Sequence, residues 1–142
     1  MAFLPPPTNH EYRGARVSAW FLGLAAVMTV GPGLVHSFLP DGGAVSIARL
    51  DVGDRATLVR SLFAWAGATQ IAFGLGLLTV ALRYRPLVPL GLALVAVERG
   101  LMSLQAWLLL PAEHHPPEHY ASPVGAMLAA VFLMLSLRPQ RL

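Results

Sequence analysis

The sequence contains no cysteine and no lysine, and charged residues make up only 12% of it. Without cysteine there are no disulfides, no thiol redox chemistry, no thiolate metal sites and no iron–sulfur clusters. So little charge also argues against an ordinary soluble surface, since a typical soluble domain is about a quarter charged residues. No Walker loop, dinucleotide fingerprint or Ser-His-Asp arrangement is found. The pI of about 10.2 is that of a nucleic-acid binder. However, all ten basic residues are arginines, set mostly in pairs at the ends of apolar runs rather than in a stripe. No nucleic-acid partner is therefore expected.

What the chain does have is hydrocarbon: 56% of its 142 residues are hydrophobic, in long runs. A helix needs about 20 apolar residues to cross a bilayer core. Four segments meet that length, at residues 17–39, 58–82, 86–110 and 120–137. None alternates with period two, so a barrel is excluded, and helices alone satisfy their own backbone in lipid. The expected fold is all-α, an integral membrane four-helix bundle over 17–137. A Pro-rich N-terminal arm at 1–16 precedes it and a short tail at 138–142 follows. Gly31-Pro32-Gly33 predicts a kink or break in the first span. That run has no small-x-small cleavage site before the break, so it reads as a retained signal-anchor helix.

Arginine sets the expected orientation. Arg13, Arg16, Arg83, Arg85, Arg138 and Arg141 fall on one side of the four spans. Arg49, Arg55 and Arg60 fall on the other, diluted by Asp41, Asp51, Asp54, Glu113 and Glu118. The positive-inside rule then places both termini in the cytoplasm and the protein in the cytoplasmic (inner) membrane. The short connection Arg83-Tyr84-Arg85-Pro86 makes the second and third helices antiparallel neighbours, with Pro86 in a first helical turn. Ala64, Ala68, Ala72 and Gly76 repeat every fourth residue, as do Gly125 and Ala129, and Ala126 and Ala130. This spacing suits close helix contact, within the bundle or with a partner. Phe3-Leu4-Pro5-Pro6-Pro7 predicts an extended arm that another subunit could hold. Ala44 to Val52 is mildly amphipathic and reads as a loop packed over the bundle, with a short surface helix as the alternative.

Few polar residues lie inside the spans. Glu98 and Arg99 sit near the centre of the third, where each costs roughly 2.5–3.5 kcal/mol to insert. Glu98, Met102 and Gln105 share a helix face, and Gln70 lies at a similar depth in the second span. One buried polar network of Glu98, Gln70 and Gln105, with Arg99 reaching toward it, is expected. It would be either a ligand or proton site or a charge cluster that fixes helix register. Arg60 opens the second span as an interfacial anchor, or as a clamp on Asp51 or Asp54.

The loop around His114, His115, Glu118 and His119, with His36 on the same side, has the imidazole and carboxylate groups that bind zinc, iron or copper. Pro116-Pro117 is expected to prevent the helix on which His115 and His119 would converge, and no H-E-x-x-H spacing is present. A solvated loop is therefore the favoured reading. Two-histidine haem ligation is not expected, because no histidine besides His36 lies within a span. A pigment held by His36 alone has no support in the sequence, and no cofactor is predicted. Trp20, Trp65 and Trp107 fit interfacial or packing positions.

The stretch from Arg60 to Gln70 (RSLFAWAGATQ), followed by Gly74-Leu75-Gly76, resembles small bacterial four-helix membrane proteins of unknown function, loosely DoxX-like. The resemblance spans about residues 17–137. It implies a fold and a location but no activity to carry over, and it includes neither Glu98-Arg99 nor the histidine loop. With no catalytic set present, the leading expectation is a non-catalytic accessory subunit. It would pack against other membrane subunits or its own kind, with respiratory or photosynthetic electron transfer as a host. The alternatives are a stand-alone binder or carrier of a lipid, quinone or other apolar ligand at the buried polar site, and a metal-dependent membrane enzyme built on the outer loop.

Overall fold

The computed structural model describes residues 3–111 and 113–139; Arg141, counted above among the basic flanks, lies outside them. All regular structure among the described residues is helical. Helix α1 is Arg16–Phe38, α2 is Ala56–Arg83, α3 is Val88–Leu104 and α4 is Pro117–Ser136. A 3-10 turn at Arg85–Leu87 leads into α3, which is extended by a π-helical turn at Gln105–Leu109. All four are long and apolar enough to span a membrane. Large side chains such as Trp20, Trp65, Leu24 and Met28 project outward, as they must where lipid is the solvent.

Two boundaries differ from those expected. Helix α1 runs through Pro32 without a break. Proline removes one backbone donor, a loss that neighbouring helices make tolerable in a membrane span. Helix α4 begins at Pro117 rather than near Tyr120, because proline suits a first helical turn, where its missing N–H is not needed.

The helices pack chiefly in two pairs, α1 with α2 and α3 with α4. Although α2 and α3 are joined by a short turn, they touch only slightly. The α1–α2 contact is made by glycine. A Cβ on Gly67 would stand 2.6 Å from the Gly33 carbonyl oxygen, and one on Gly74 would stand 2.5 Å from Val30 Cγ2. Only hydrogen fits there. The expected small-residue face of α2 points elsewhere, since Ala68, Ala72 and Gly76 are exposed. On α4, by contrast, Ala129 is fully buried in the core.

Helix α1 also joins the two pairs. Leu22 fills the space over Gly91 of α3, and Phe21 stacks on Phe132 of α4 with ring centroids 4.2 Å apart. The Ser18 hydroxyl donates to the Phe132 carbonyl at 2.9 Å. Leu22, Ala26, Val88, Leu92 and Ala129 form the fully enclosed core.

At the end that carries both termini, the N-terminal arm lies on the chain's own α2–α3 turn. The Thr8 amide donates to the Arg83 carbonyl at 2.9 Å, and the Asn9 side-chain amide donates to the Leu82 carbonyl at 2.6 Å. The Tyr84 hydroxyl donates to the Pro5 carbonyl at 2.7 Å. The last carbonyls of a helix have no partners within it, and here the arm supplies them. No second subunit is needed to order it.

At the opposite end, the α1–α2 loop folds over the bundle as a series of turns, with Ala44 and Ala48 buried. Gly42 and Gly43 take positive φ, and Asp41 closes the turn by accepting the amides of Gly43, Val45 and Ser46. His114 reaches this loop, its Nε2 lying 2.9 Å from the Ala48 carbonyl oxygen.

Two outcomes follow from this packing. Gly67→Leu should separate α1 from α2 and cost about 2 kcal/mol, read as a lower unfolding temperature in detergent. Gly76→Leu, in open space, should leave that temperature unchanged. The amide donors of Ser46 and Gly43 hold the Asp41 carboxyl down to about 2, below its usual 3.8. Its contribution to the turn should therefore be complete above pH 3.8 and lost as pH falls through about 2. The protection factors of the Gly43, Val45 and Ser46 amides, exchange rates corrected for their intrinsic pH dependence, should fall over that window in the wild type, and Asp41→Asn should remove that fall.

Candidate functional site

Arg99 lies midway along the apolar stretch Arg85–Leu109, on the side of α3 that faces α1 and α4. Its stem runs beside Gly125 of α4, where a Cβ would stand 3.5 Å from Arg99 Cγ. Its Nη2 donates to the Thr29 hydroxyl of α1 at 3.3 Å, and Nη1 makes a long 4.0 Å contact with Met102 Sδ. Its Nε lies 3.5 Å from Glu98 Oε2. That contact balances charge but lacks hydrogen-bond geometry, and Glu98 Oε2 is buried without a hydrogen-bond partner. Both side chains are mostly buried, at 17% and 27% exposure.

A guanidinium carries five N–H donors. One neutral hydroxyl and one weak sulfur acceptor leave donors unpaired here. Each unmade bond in an apolar setting costs about 1–3 kcal/mol. The Thr29 hydroxyl donates its own hydrogen to the Ala25 carbonyl at 2.8 Å, so toward Arg99 it serves only as an acceptor.

This incompletely paired cation forms the floor of a groove of about 640 Å³ between α1 and α4. Phe21, Leu24 and Met28 form one wall; Ala121, Val124 and Leu128 form the other. The volume is that of a small-molecule site, which typically measures about 300–1,000 Å³. The outward wall residues are exposed, so the groove opens sideways onto the surface that lipid would cover.

Glu118 and Pro117 line the groove toward the loop end. Glu118 Oε1 lies 3.4 Å from Nε2 of the buried His36. The other ring nitrogen, Nδ1, lies 2.7 Å from the Gly42 carbonyl oxygen and must be the donor in that bond. Attraction between Nε2 and the carboxylate then requires a proton on one of the two.

The expected polar network forms with different members. Arg99 and Glu98 meet, but no hydrogen bond joins Gln70 or Gln105 to them among the described residues. Gln70 packs against Gly33 in the α1–α2 contact, with its Oε1 buried and unpaired. Gln105 is exposed on the π-helical turn. Thr29 takes the place expected for them. It lies near the middle of the first span, at a depth similar to Arg99, a signal that was present in the sequence.

The histidine loop also differs from expectation. Because α4 begins at Pro117, the two prolines do not keep His115 and His119 apart, and their Nδ1 atoms lie 2.9 Å from each other. Trp107 stacks on His115 with centroids 4.2 Å apart and donates from Nε1 to the His119 carbonyl at 2.9 Å. His114 is drawn to Ala48 and His36 to Glu118. Among the described residues no three His, Asp or Glu side chains converge as metal ligands would. Arg60 is exposed and lines a smaller cleft with Asp41; no ion pair ties it to Asp51 or Asp54 among the described residues.

No protein-family model, no curated protein and no solved structure matches this chain.

Proposed function

We propose that this chain is a multi-pass protein of the cytoplasmic membrane that binds a small apolar molecule drawn from the lipid phase. The observation that carries the reading is the α1–α4 groove with Arg99 at its floor. The groove opens onto the lipid-facing surface, and a mid-span cation with unpaired donors at its floor suits an occupant that carries an acceptor where an acyl chain has none. The resemblance to DoxX-like proteins is compatible with this reading and adds no activity to it.

A second reading is that the chain packs against another membrane subunit or a second copy of itself. The exposed face of Ala68, Ala72 and Gly76 on α2 favours it, because small residues allow a partner helix to approach closely. The two readings are compatible, since α2 lies outside the groove.

Native mass spectrometry of the protein released gently from its own membrane tests both. The ligand reading expects a small-molecule mass on the wild-type chain that Ala121→Trp, which fills the groove from an exposed wall position, removes. Large co-purifying subunits on a chain with an empty groove would instead support the accessory role.

For orientation, the arginine distribution favours both termini in the cytoplasm. In this cysteine-free chain, an impermeant thiol reagent added to intact cells should label Glu113→Cys and spare Arg138→Cys. The reverse pattern would invert the topology.

A further inference from the structure

Resting on the ligand-binding reading, we propose that the occupant is a neutral hydrophobe whose carbonyl oxygen accepts from the Arg99 guanidinium. The charges around the groove limit the class of the occupant. Arg99 already faces the Glu98 carboxylate at 3.5 Å, and a second carboxylate, Glu118, lines the groove with His36 beside it. An anionic head would meet a guanidinium already balanced by the Glu98 carboxylate. A cationic head would be repelled by Arg99. A neutral head moves no net charge into the apolar bundle.

Hydrogen-bonding roles narrow the class further. Thr29 has donated its hydrogen to Ala25, and Glu98 is not part of the groove lining. The floor therefore presents unpaired N–H donors and calls for an acceptor. A carbonyl oxygen accepts without bringing a donor of its own that would need a partner.

Depth separates such a molecule from bulk lipid. Arg99 lies ten residues from Leu109, the nearer end of its apolar stretch, roughly 15 Å at the α-helical rise. A phospholipid with its head at the membrane surface brings only acyl chain to that depth. A neutral hydrophobe can enter sideways between Met28 and Leu128 and carry its carbonyl to the floor.

The test uses the full chain in lipid nanodiscs and three probes of matched shape: decyl para-benzoquinone, decylbenzene and para-decylbenzoate. Retention is read by native mass spectrometry. The wild type should retain the quinone about tenfold better than the hydrocarbon, the worth of one hydrogen bond from a charged donor. The double variant Glu98→Gln/Arg99→Met, which keeps the floor neutral and removes the guanidinium, should lose that preference and still hold decylbenzene. Equal retention of quinone and hydrocarbon by the wild type would overturn the carbonyl assignment and leave an acyl-chain slot. Best retention of the benzoate would overturn it in favour of an anion site. No retention of any probe would overturn the ligand-binding reading itself. The probe ratio on the unaltered protein decides even if the double variant does not fold.

Discussion

Apolar helices in lipid gain nothing from hiding apolar surface against each other, so they associate only where they can come close. In this chain the closest approach is that of α1 and α2, with Gly33, Gly67 and Gly74 leaving no room for a Cβ. Once α2 occupies that face of α1, the remaining faces of α1 are left for α3 and α4. Leu22 against Gly91 and Phe21 on Phe132 use them near the terminal end. Farther along, α1 and α4 diverge around Thr29 and Gly125, and the groove lies between them.

Polar groups are arranged by the same economy of hydrogen bonds. At the terminal end, the carbonyls left over by α2 take donors from Thr8 and Asn9, so a Pro-rich segment becomes part of the fold. At the loop end, Asp41, His36 and His114 bond to the backbone of the α1–α2 loop or its turns. Hydroxyls within the helices, at Thr29, Thr69 and Thr79, donate to carbonyls one turn earlier. Arg99 is not satisfied in this way: its donors outnumber the acceptors around it, and it lies beside the groove between α1 and α4.

That coincidence gives the site its character. A mid-span charge could serve only to fix helix register, and the Glu98 contact is compatible with that use. A register device, however, gains from being enclosed and fully paired. Arg99 is neither, because the groove leaves its floor open from the lipid-facing side. The small-residue face of α2 and the groove lie on different sides of α1, so a partner helix and a small molecule would not compete.

The number of the spans was legible in the sequence, because crossing a bilayer depends on local, additive hydropathy. Arg99 and Glu98 could be singled out for the same reason, as costs that stand alone against an apolar background. Helix rotation was not legible: each span is apolar nearly all round, so no polar stripe marks an outer face. Gln70 was expected beside Glu98 and packs on Gly33 instead, and the small-residue face of α2 points away from the contact that Gly67 and Gly74 make. His115 and His119 meet because a proline began a helix where one was expected to prevent it. Sequence by itself determined what each helix is and how deep its polar residues lie. Tertiary structure decided which of them meet, because only the simultaneous close packing of four helices fixes each one's rotation about its own axis.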